Sequence, residues 1–226
     1  VGPVSDHRAD SWSFGLNGDW QDQWTGTPAR SSWSAQAVIG RIDLNQSPDR
    51  ASDLVTAATH GHFDKLNFGL SRFQKLGETW SLSASLRGQL AGKNLDSSEK
   101  FILGGSAGVR AYPTGEGVGD GGAIASIEFQ REIAQGWSEG WFLDWGYARL
   151  HQRPWDGWQG TNPNVKNSYS LAATGMFIGW QPNAEVSLKI ILALPLFKNP
   201  GLDALGRNSE NAKDGEKIWA TLSWSF

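Results

Sequence analysis

The sequence predicts an all-β protein, and specifically an antiparallel transmembrane β-barrel. Short segments alternate between apolar and polar residues, and the connections between them alternate between short and long. The chain is also aromatic without being hydrophobic: of 226 residues, 13 are Trp and 28 are Gly, yet the mean hydropathy is −0.41. This combination is typical of a membrane barrel, because half of its strand residues face water.

Alternation with a period of two is clearest over residues 80–90, where apolar residues or Gly alternate with Ser, Arg or Gln. Such a pattern gives a strand one apolar and one polar face, whereas a helix would spread the same apolar residues over all sides. The whole chain predicts about nine strands and no amphipathic helix. In order, the strands are marked by Trp12, Phe14, Leu16 and Trp20; Trp33, Ala35, Ala37 and Ile39; Leu66, Phe68 and Leu70; residues 80–90; Ala125, Ile127 and Phe129; Trp141, Leu143, Trp145 and Tyr147; Leu171, Ala173 and Phe177; Val186, Leu188, Ile190, Leu192 and Leu194; and Ile218, Ala220, Leu222, Trp224 and Phe226.

The connections between these strands differ in length on the two sides of the predicted sheet. Short periplasmic turns that alternate with long outer loops are the layout expected of an outer-membrane barrel. With the long connections outside, the last strand runs inward and ends in the periplasm. The short connections are residues 25–31, 76–79, 133–138 and 181–184, and the long ones are residues 45–61, 91–122, 151–167 and 195–217.

A secreted β-sandwich is the soluble alternative, since it would also show alternating strands. The one-sided loop lengths and the aromatic residues near strand ends favour the barrel. Nine strands are an odd number for a bacterial single-chain barrel, and an open sheet edge in lipid leaves costly unpaired backbone groups. We therefore expect the C-terminal part of a larger barrel. No signal peptide is recognisable after Val1, so we expect a processed or excised chain.

Composition and motifs argue against an enzyme or a nucleic-acid-binding protein. The net charge of −3 gives no reason to expect a nucleic acid as partner, and the absence of Cys excludes disulfides and thiolate zinc sites. His60 and His62 have no acidic partner at a fixed spacing, so no metal site is expected. No Gly-x-Ser-x-Gly motif occurs. We expect no catalytic residue and no cofactor.

The Gly-rich segment at residues 101–122 contains one cluster of larger residues, Val109-Arg110-Ala111-Tyr112. It is not a nucleotide loop, because an alternating strand follows it instead of a helix. Gly residues let such a segment fold back sharply, and Glu128 and Asp144 alternate with apolar positions, so both are predicted to point inward. Because Arg can grip a carboxylate bidentately, Arg110 is either the partner of an inward acid or a solvated loop residue. Spacing alone leaves both open.

Two motifs in this region resemble signatures of the Omp85 superfamily, most closely its two-partner secretion branch, the haemolysin-activator or TpsB-like translocators. A terminal aromatic pair is similar to the signal by which outer-membrane proteins are recognised for assembly. The loop-six signature is carried by Val109, Arg110, Tyr112, Gly115, Glu116, Gly119, Asp120 and Gly122, before a strand with Glu128; the second motif is Phe142, Asp144 and Gly146; the terminal pair is Trp224 and Phe226.

The resemblance implies a sixteen-stranded barrel of which residues 1–226 supply about the last nine strands, as part of one domain. POTRA domains and the early strands are absent from this sequence. Loop six, about residues 91–122, would fold into the lumen, with Arg110 contacting Asp144 and with Glu128 as a second contact. The family usually has Gly where this chain has Ala111. Because Ala tolerates positive φ poorly, a slightly different backbone is expected there.

The resemblance further implies a protein of the Gram-negative outer membrane that exports one large exoprotein without nucleotide. Its expected partners are that exoprotein, outer-membrane lipid and the barrel assembly machinery. Three other functions remain open: an Omp85-type assembly factor for other barrels, a passive porin with opposed charges at its constriction, and a barrel enzyme. The compact run at residues 115–122 favours secretion. A barrel enzyme would need a nucleophile–base pair, and the sequence shows no such pair.

Overall fold

The computed structural model describes residues 6–160, 162 and 165–225. Its strands form one nine-stranded antiparallel sheet in which each strand pairs with the next along the chain. The predicted number and order of strands are therefore confirmed. The strands are β1 Arg8–Asp22, β2 Ala29–Asp43, β3 Gly61–Lys75, β4 Trp80–Ala91, β5 Gly121–Ala134, β6 Trp137–Arg149, β7 Ser168–Trp180, β8 Val186–Pro195 and β9 Lys217–Trp224.

The long connections lie at one end of the sheet and the short turns at the other, as predicted. The connection from β4 to β5, residues 92–120, is called loop six below; Ala91 and Gly122 belong to the flanking strands. A short helix, α1 Arg50–Val55, and a single 3₁₀ turn, Ser97–Glu99, lie within long connections. Within the described residues, no helix is long and apolar enough to cross a membrane.

The two faces of the sheet differ in chemistry, and they are distinguished by loop six, which covers only one of them. We call the face that loop six covers the inner face and the opposite one the outer face. Alternating apolar residues leave the outer face strongly exposed, from Trp12 at 76% in β1 to Leu143 at 49% in β6. A soluble sandwich would bury such a face against a second sheet, and the described residues form a single sheet.

The sheet is open in the part of the chain that the structure describes. β1 pairs with β2 alone and β9 pairs with β8 alone. In lipid, the free edges of β1 and β9 would leave unpaired N–H and C=O groups that cost several kcal/mol each. The open sheet agrees with part of a larger barrel, and the presence of further strands stays a prediction.

The expectation that the inner face is polar is wrong for β5 to β8. Loop six packs there on apolar side chains and forms the main hydrophobic core. The predicted markers of β7 also face this core: Leu171, Ala173 and Phe177 are buried on the inner face, whereas Met176 and Ile178 are exposed on the outer face. The inner residues of this core are Ile124, Phe142, Ala148, Tyr169, Leu171, Ala173, Phe177, Ile191 and Ala193.

A second apolar cluster fixes the start of loop six to β2 and β3. Leu95 of loop six packs with Val38, Ile42 and Phe63 from the inner face and with Leu44. This cluster explains why β2 has apolar inner residues, Val38 and Ile42, at its long-loop end: the base of loop six covers them. The outer positions there include the charged residues Arg41 and Asp43.

Candidate functional site: the docking of loop six on the inner face

Loop six is an ordered hairpin-like structure. Phe101 and Gly119 exchange backbone hydrogen bonds of 2.8 and 2.9 Å, and the Gly104 amide donates to the Glu116 carbonyl at 3.0 Å. Gly105 and Gly117 have φ values of 101° and 66°, which a residue with a side chain adopts only with strain. These Gly residues let the two arms turn back, so that the tip at residues 105–112 lies on the sheet.

Arg110, at this tip, is gripped by Asp144 of β6. Its Nε and one terminal nitrogen donate to the two carboxylate oxygens at 2.8 and 2.7 Å, and its backbone amide donates to Oδ2 at 3.1 Å. Arg110 is 5% exposed and Asp144 is 0% exposed. A bidentate, charge-assisted pair of this kind fixes both position and orientation. Arg110 is therefore the partner of an inward-facing acid and not a solvated loop residue.

Glu128 and Ser126 of β5 make further polar contacts with this pair. Glu128 of β5 pairs with the Arg110 guanidinium on its other side and with Lys189 of β8 at 3.2 Å. Ser126 donates to Asp144 at 2.7 Å and accepts from Arg110 at 3.1 Å. The charges therefore alternate along Lys189, Glu128, Arg110 and Asp144, so that each charge lies next to an opposite one.

Two aromatic side chains, Phe142 of β6 and Trp219 of β9, also hold the tip of loop six. The guanidinium carbon of Arg110 lies 3.5 Å from the ring centroid of Phe142, a cation–π contact. Trp219 of β9 donates its indole N–H to the Arg110 carbonyl at 2.7 Å. Three strands thus contact this one residue of loop six, namely β5, β6 and β9, and Lys189 of β8 is linked to it through Glu128.

Gly146, the last residue of the second motif, provides the space in which the tip sits. A Cβ atom there would lie 2.4 Å from Leu103 Cδ1 and 2.7 Å from Val109 Cγ2. Val109 and Leu103 are both fully buried. In this motif, Phe142 lies against the Arg110 guanidinium, Asp144 pairs with it, and Gly146 leaves room for Leu103 and Val109.

Tyr112 anchors the tip to β7 and to the connection after β8. It is completely buried, and its hydroxyl donates to the Phe197 carbonyl at 3.1 Å, with the Ala172 carbonyl 3.3 Å away. Burial raises the pKa of Tyr112 to about 12, so the phenol keeps the proton that it donates.

We expect Tyr112→Phe to lower the stability of the barrel by about 1 kcal/mol, because the Phe197 carbonyl loses its donor while the ring still fills its site. The Ala172 carbonyl keeps the Leu196 amide as its donor. The measurement is the temperature at which the folded band is lost on an SDS gel. Tyr147→Phe is the control, since Tyr147 lies on the exposed outer face. An equal shift in both variants would contradict a specific anchoring role for the Tyr112 hydroxyl.

Glu116 and Gly115 connect loop six to the last long connection. Glu116 is 3% exposed, and its Oε2 accepts from the Ser209 amide at 3.1 Å. A Cβ at Gly115 would lie 3.2 Å from the Ser209 side chain. The motif thus places a small residue and an acid against the connection at residues 196–216.

Asp120, at the base of loop six, accepts hydrogen bonds from several donors. It is 0% exposed; Oδ1 accepts from the Leu95 amide at 3.0 Å and lies 3.0 Å from Lys100 Nζ, while Oδ2 accepts from the Gln152 amide at 2.7 Å. Asp120 therefore ties the start of loop six to its end and to the connection after β6.

Asn94 continues this link between the long connections. Its side-chain amide donates to the carbonyls of Ala57 and Arg153, both at 2.8 Å, and its oxygen accepts from the Arg153 amide at 2.8 Å. Three long connections are joined through one side chain. No sequence signal distinguishes Asn94 from other loop residues, because its partners are all backbone atoms distant in sequence.

We expect Asp120→Ala to destabilise the long-loop end by about 3 kcal/mol, the lower end of the cost of stranding one charge of a buried pair. The Lys100 side chain is 14% exposed and still donates to the Leu150 carbonyl. Two amides lose their acceptors as well. Faster cleavage of residues 92–120 and 150–167 by protease added to intact cells is the expected readout. Asp156→Ala removes an exposed acid from the same region and serves as control; equal cleavage of both variants would contradict the prediction.

The remaining predicted residues have simpler positions. Gly119 and Gly122 allow close approach of backbone, since a Cβ would lie 2.4 Å from the Arg149 carbonyl oxygen and 2.5 Å from that of Tyr147, respectively. Trp224 is exposed on the outer face of β9, and Phe226 lies outside the described residues. Ala111 does not have a positive φ, and its methyl group is buried; a backbone that differs from that of relatives with Gly at this position stays a prediction.

Ser126, Lys189 and Trp219 belong to the site and were not among the predicted residues. Their inward direction follows from the alternation of their strands, so the sequence shows where they point but not which residue they meet. His60 and His62, where no metal site was expected, lie outside this site, and His60 Nδ1 accepts from the Leu44 amide at 3.2 Å. Among the described residues, no cluster of three or more His, Asp or Glu could hold a metal ion.

An antiparallel β-sheet with a Gly-rich loop docked on its inner face agrees with one class of protein, the two-partner secretion translocators of the Omp85 superfamily. The sequence model of one family within it, described as haemolysin secretion/activation protein ShlB/FhaC/HecB, matches residues 3–161. This match covers more than half of the chain, and the chain belongs to this family. It is an outer-membrane protein of Gram-negative bacteria.

Individual relatives agree with this assignment. The chain is 24% identical over 224 residues to the heme/hemopexin transporter protein HuxB of Haemophilus influenzae, covering 97% of this chain and 36% of that protein. Among solved structures, CdiB from Escherichia coli is similar with a TM-score of 0.56 at 12% identity, covering 97% of this chain and 46% of that one. The chain thus spans about a third of the length of its curated relatives, and the structural likeness shows the shared fold.

Proposed function

We propose that the chain forms the C-terminal strands of an outer-membrane translocator that exports a large exoprotein by two-partner secretion, without enzymatic chemistry. The observation that carries the proposal is the buried Arg110–Asp144 pair, supported by Glu128. The pair holds the tip of loop six on the inner face, where the loop can close a wide barrel. The family to which the chain belongs supports this function.

The proposal includes the parts of the protein beyond this sequence and the partners that they need. We infer periplasmic POTRA domains and the early strands of a sixteen-stranded barrel, which together would receive the exoprotein and close the open sheet. The exposed apolar outer face supports contact with outer-membrane lipid. Trp224, and Phe226 by its sequence, would be read by the barrel assembly machinery.

The test is export of the large exoprotein encoded beside the translocator, co-expressed with the full-length protein and measured in the medium. We expect the exoprotein outside the cell only when the translocator is present. Its retention in the periplasm, with the translocator folded in the outer membrane, would contradict the proposal. Altered levels of other outer-membrane proteins would then indicate an assembly factor, and uptake of small solutes would indicate a porin.

A further inference from the structure

The apolar outer face ends in a pair of charged residues near the short turns. On β6, every outer position between Glu139 and Arg149 is aromatic or aliphatic. The two residues are ten positions apart, a distance of about 33 Å along a strand and, at the usual tilt of a barrel strand, a height of about 25 Å, which is that of the apolar band. Glu139 therefore lies near the level of the lipid headgroups, and Arg131 of β5 lies directly opposite it.

Arg131 and Glu139 carry opposite charges but do not pair with each other. Among the residues that the structure describes, neither side chain forms an ion pair or a hydrogen bond. The Arg131 guanidinium is directed toward β4, where its carbon lies 5.6 Å from the ring centroid of Trp80, the residue opposite it on that strand. Arg131 is exposed and Glu139 is half-buried. The N–H donors of one and the carboxylate oxygens of the other therefore remain available to a ligand.

Two pairs of Trp rings surround these charges. Trp80 and Trp141 stack across β5, with ring centroids 5.9 Å apart and ring planes at 17°. On the side of the short turns, Trp137 and Trp180 face each other with centroids 6.1 Å apart. Trp is enriched at the membrane interface, and the face of its ring attracts a cation. The surface between the two pairs thus offers one cation, one anion and several aromatic faces.

The headgroup that fits this surface carries both charges close together. Phosphatidylethanolamine has a phosphate joined by a short link to a primary ammonium. An Arg binds a phosphate bidentately, while an ammonium donates hydrogen bonds to a carboxylate and is attracted to the face of a Trp ring. Phosphatidylglycerol has the phosphate without a cation, and Glu139 would repel it. The quaternary ammonium of phosphatidylcholine has no N–H group to donate to Glu139.

We propose that Arg131, Glu139 and Trp80 form a binding site for the headgroup of phosphatidylethanolamine in the periplasmic leaflet of the outer membrane. Trp80 positions the guanidinium, Arg131 pairs with the phosphate, and Glu139 accepts hydrogen bonds from the ammonium. The acyl chains then extend over the apolar outer residues of β5 and β6, such as Phe129 and Leu143. The proposal rests on the contact with lipid proposed above. The site lies on the opposite face of the sheet from loop six and takes no part in holding that loop.

Native mass spectrometry of the full-length translocator tests the lipid preference. The protein is purified in detergent, stripped of lipid and mixed with phosphatidylethanolamine, phosphatidylglycerol or phosphatidylcholine, each with the same acyl chains and at the same concentration. The fraction of protein that carries one lipid molecule is measured. We expect this fraction to be several times higher with phosphatidylethanolamine than with either of the others. Equal fractions with all three lipids would overturn the proposal, because they would indicate only general contact of lipid with the apolar face.

Two substitutions separate the roles of the charges. Arg131→Ala is expected to lower the fraction with bound phosphatidylethanolamine several-fold, to that measured with phosphatidylcholine. Glu139→Gln is expected to abolish the preference for phosphatidylethanolamine over phosphatidylglycerol, because no carboxylate then attracts the one and repels the other. Arg149→Ala, which removes an exposed Arg from the long-loop end of β6, is the matched control and should bind lipid as the wild type does. An unchanged preference in Arg131→Ala, with the protein folded on an SDS gel, would overturn the proposal by showing that the lipid binds elsewhere.

The lipid site and the translocator function are overturned by different results. Export of the large exoprotein encoded beside the translocator is measured in parallel for the wild type. A wild type that prefers phosphatidylethanolamine but exports nothing would overturn the translocator function alone. A wild type that exports the exoprotein without any preference for phosphatidylethanolamine would overturn the lipid site alone.

Discussion

Replacing Asp144 by Ala is expected to reduce export of the exoprotein at least tenfold. Asp144 is completely buried and accepts hydrogen bonds from the Arg110 amide, the Arg110 side chain and Ser126. Removing one partner of a buried ion pair typically costs about 3–5 kcal/mol, because the other charge is left behind. Glu128 would still hold one side of the guanidinium, so the effect should fall near the lower end of that range.

Export is measured in the medium, with the amount of folded translocator in the outer membrane matched between strains. Glu139→Ala, on the same strand but away from Arg110, controls for the loss of an acid from β6. Accelerated protease cleavage of loop six should accompany the loss of export. Undiminished export by Asp144→Ala would mean that the docking of Arg110 is a feature of the resting structure without a role in transport.

The second large effect is expected from Gly146→Val. The new side chain would overlap Leu103 and Val109, which would lie 2.4 and 2.7 Å from its Cβ. Both neighbours are fully buried, so neither can move aside without displacing the tip of loop six. Overpacking of such a core costs about 1–3 kcal/mol, occasionally more, and here the displacement also separates Arg110 from Asp144.

We therefore expect Gly146→Val to fold into the outer membrane but to export little exoprotein. Gly215→Val is the matched control, because the position has open space around its Cβ and no positive φ. Thermal unfolding on SDS gels separates a loss of docking from a loss of the barrel. Normal export with normal unfolding in Gly146→Val would show that loop six does not need the space above this residue.

The strands could be predicted from the sequence because residues on the outer face must be apolar in lipid, whereas the residues between them point to the inner face. That argument fails where both faces are apolar. Leu171, Ala173 and Phe177 mark β7 correctly as a strand, but they face loop six, and the outer face is formed by less conspicuous residues such as Met176. Periodicity shows that a strand has two faces without showing which one is covered by protein.

For the docking site, the sequence predicted which side chains point to the inner face but not which residues they contact. The alternation placed Glu128 and Asp144 on the inner face, and the motifs singled out Arg110. The roles of Glu116 and Asp120 could not be read in this way, because they accept from backbone amides that are distant in sequence: Ser209 for Glu116, and Leu95 and Gln152 for Asp120. Such contacts depend on how the long connections fold over one another, which has no periodic signature.

Export by the full-length translocator with the charges of Arg110 and Asp144 exchanged tests the central claim most directly. The strains carry wild type, Arg110→Asp, Asp144→Arg or both substitutions, at matched outer-membrane levels. The buried contact between the two residues predicts loss of export in each single variant, since like charges then face each other, and partial recovery in the double variant, where an opposite pair is restored. Full export by both single variants would contradict the claim that this pair holds loop six for transport.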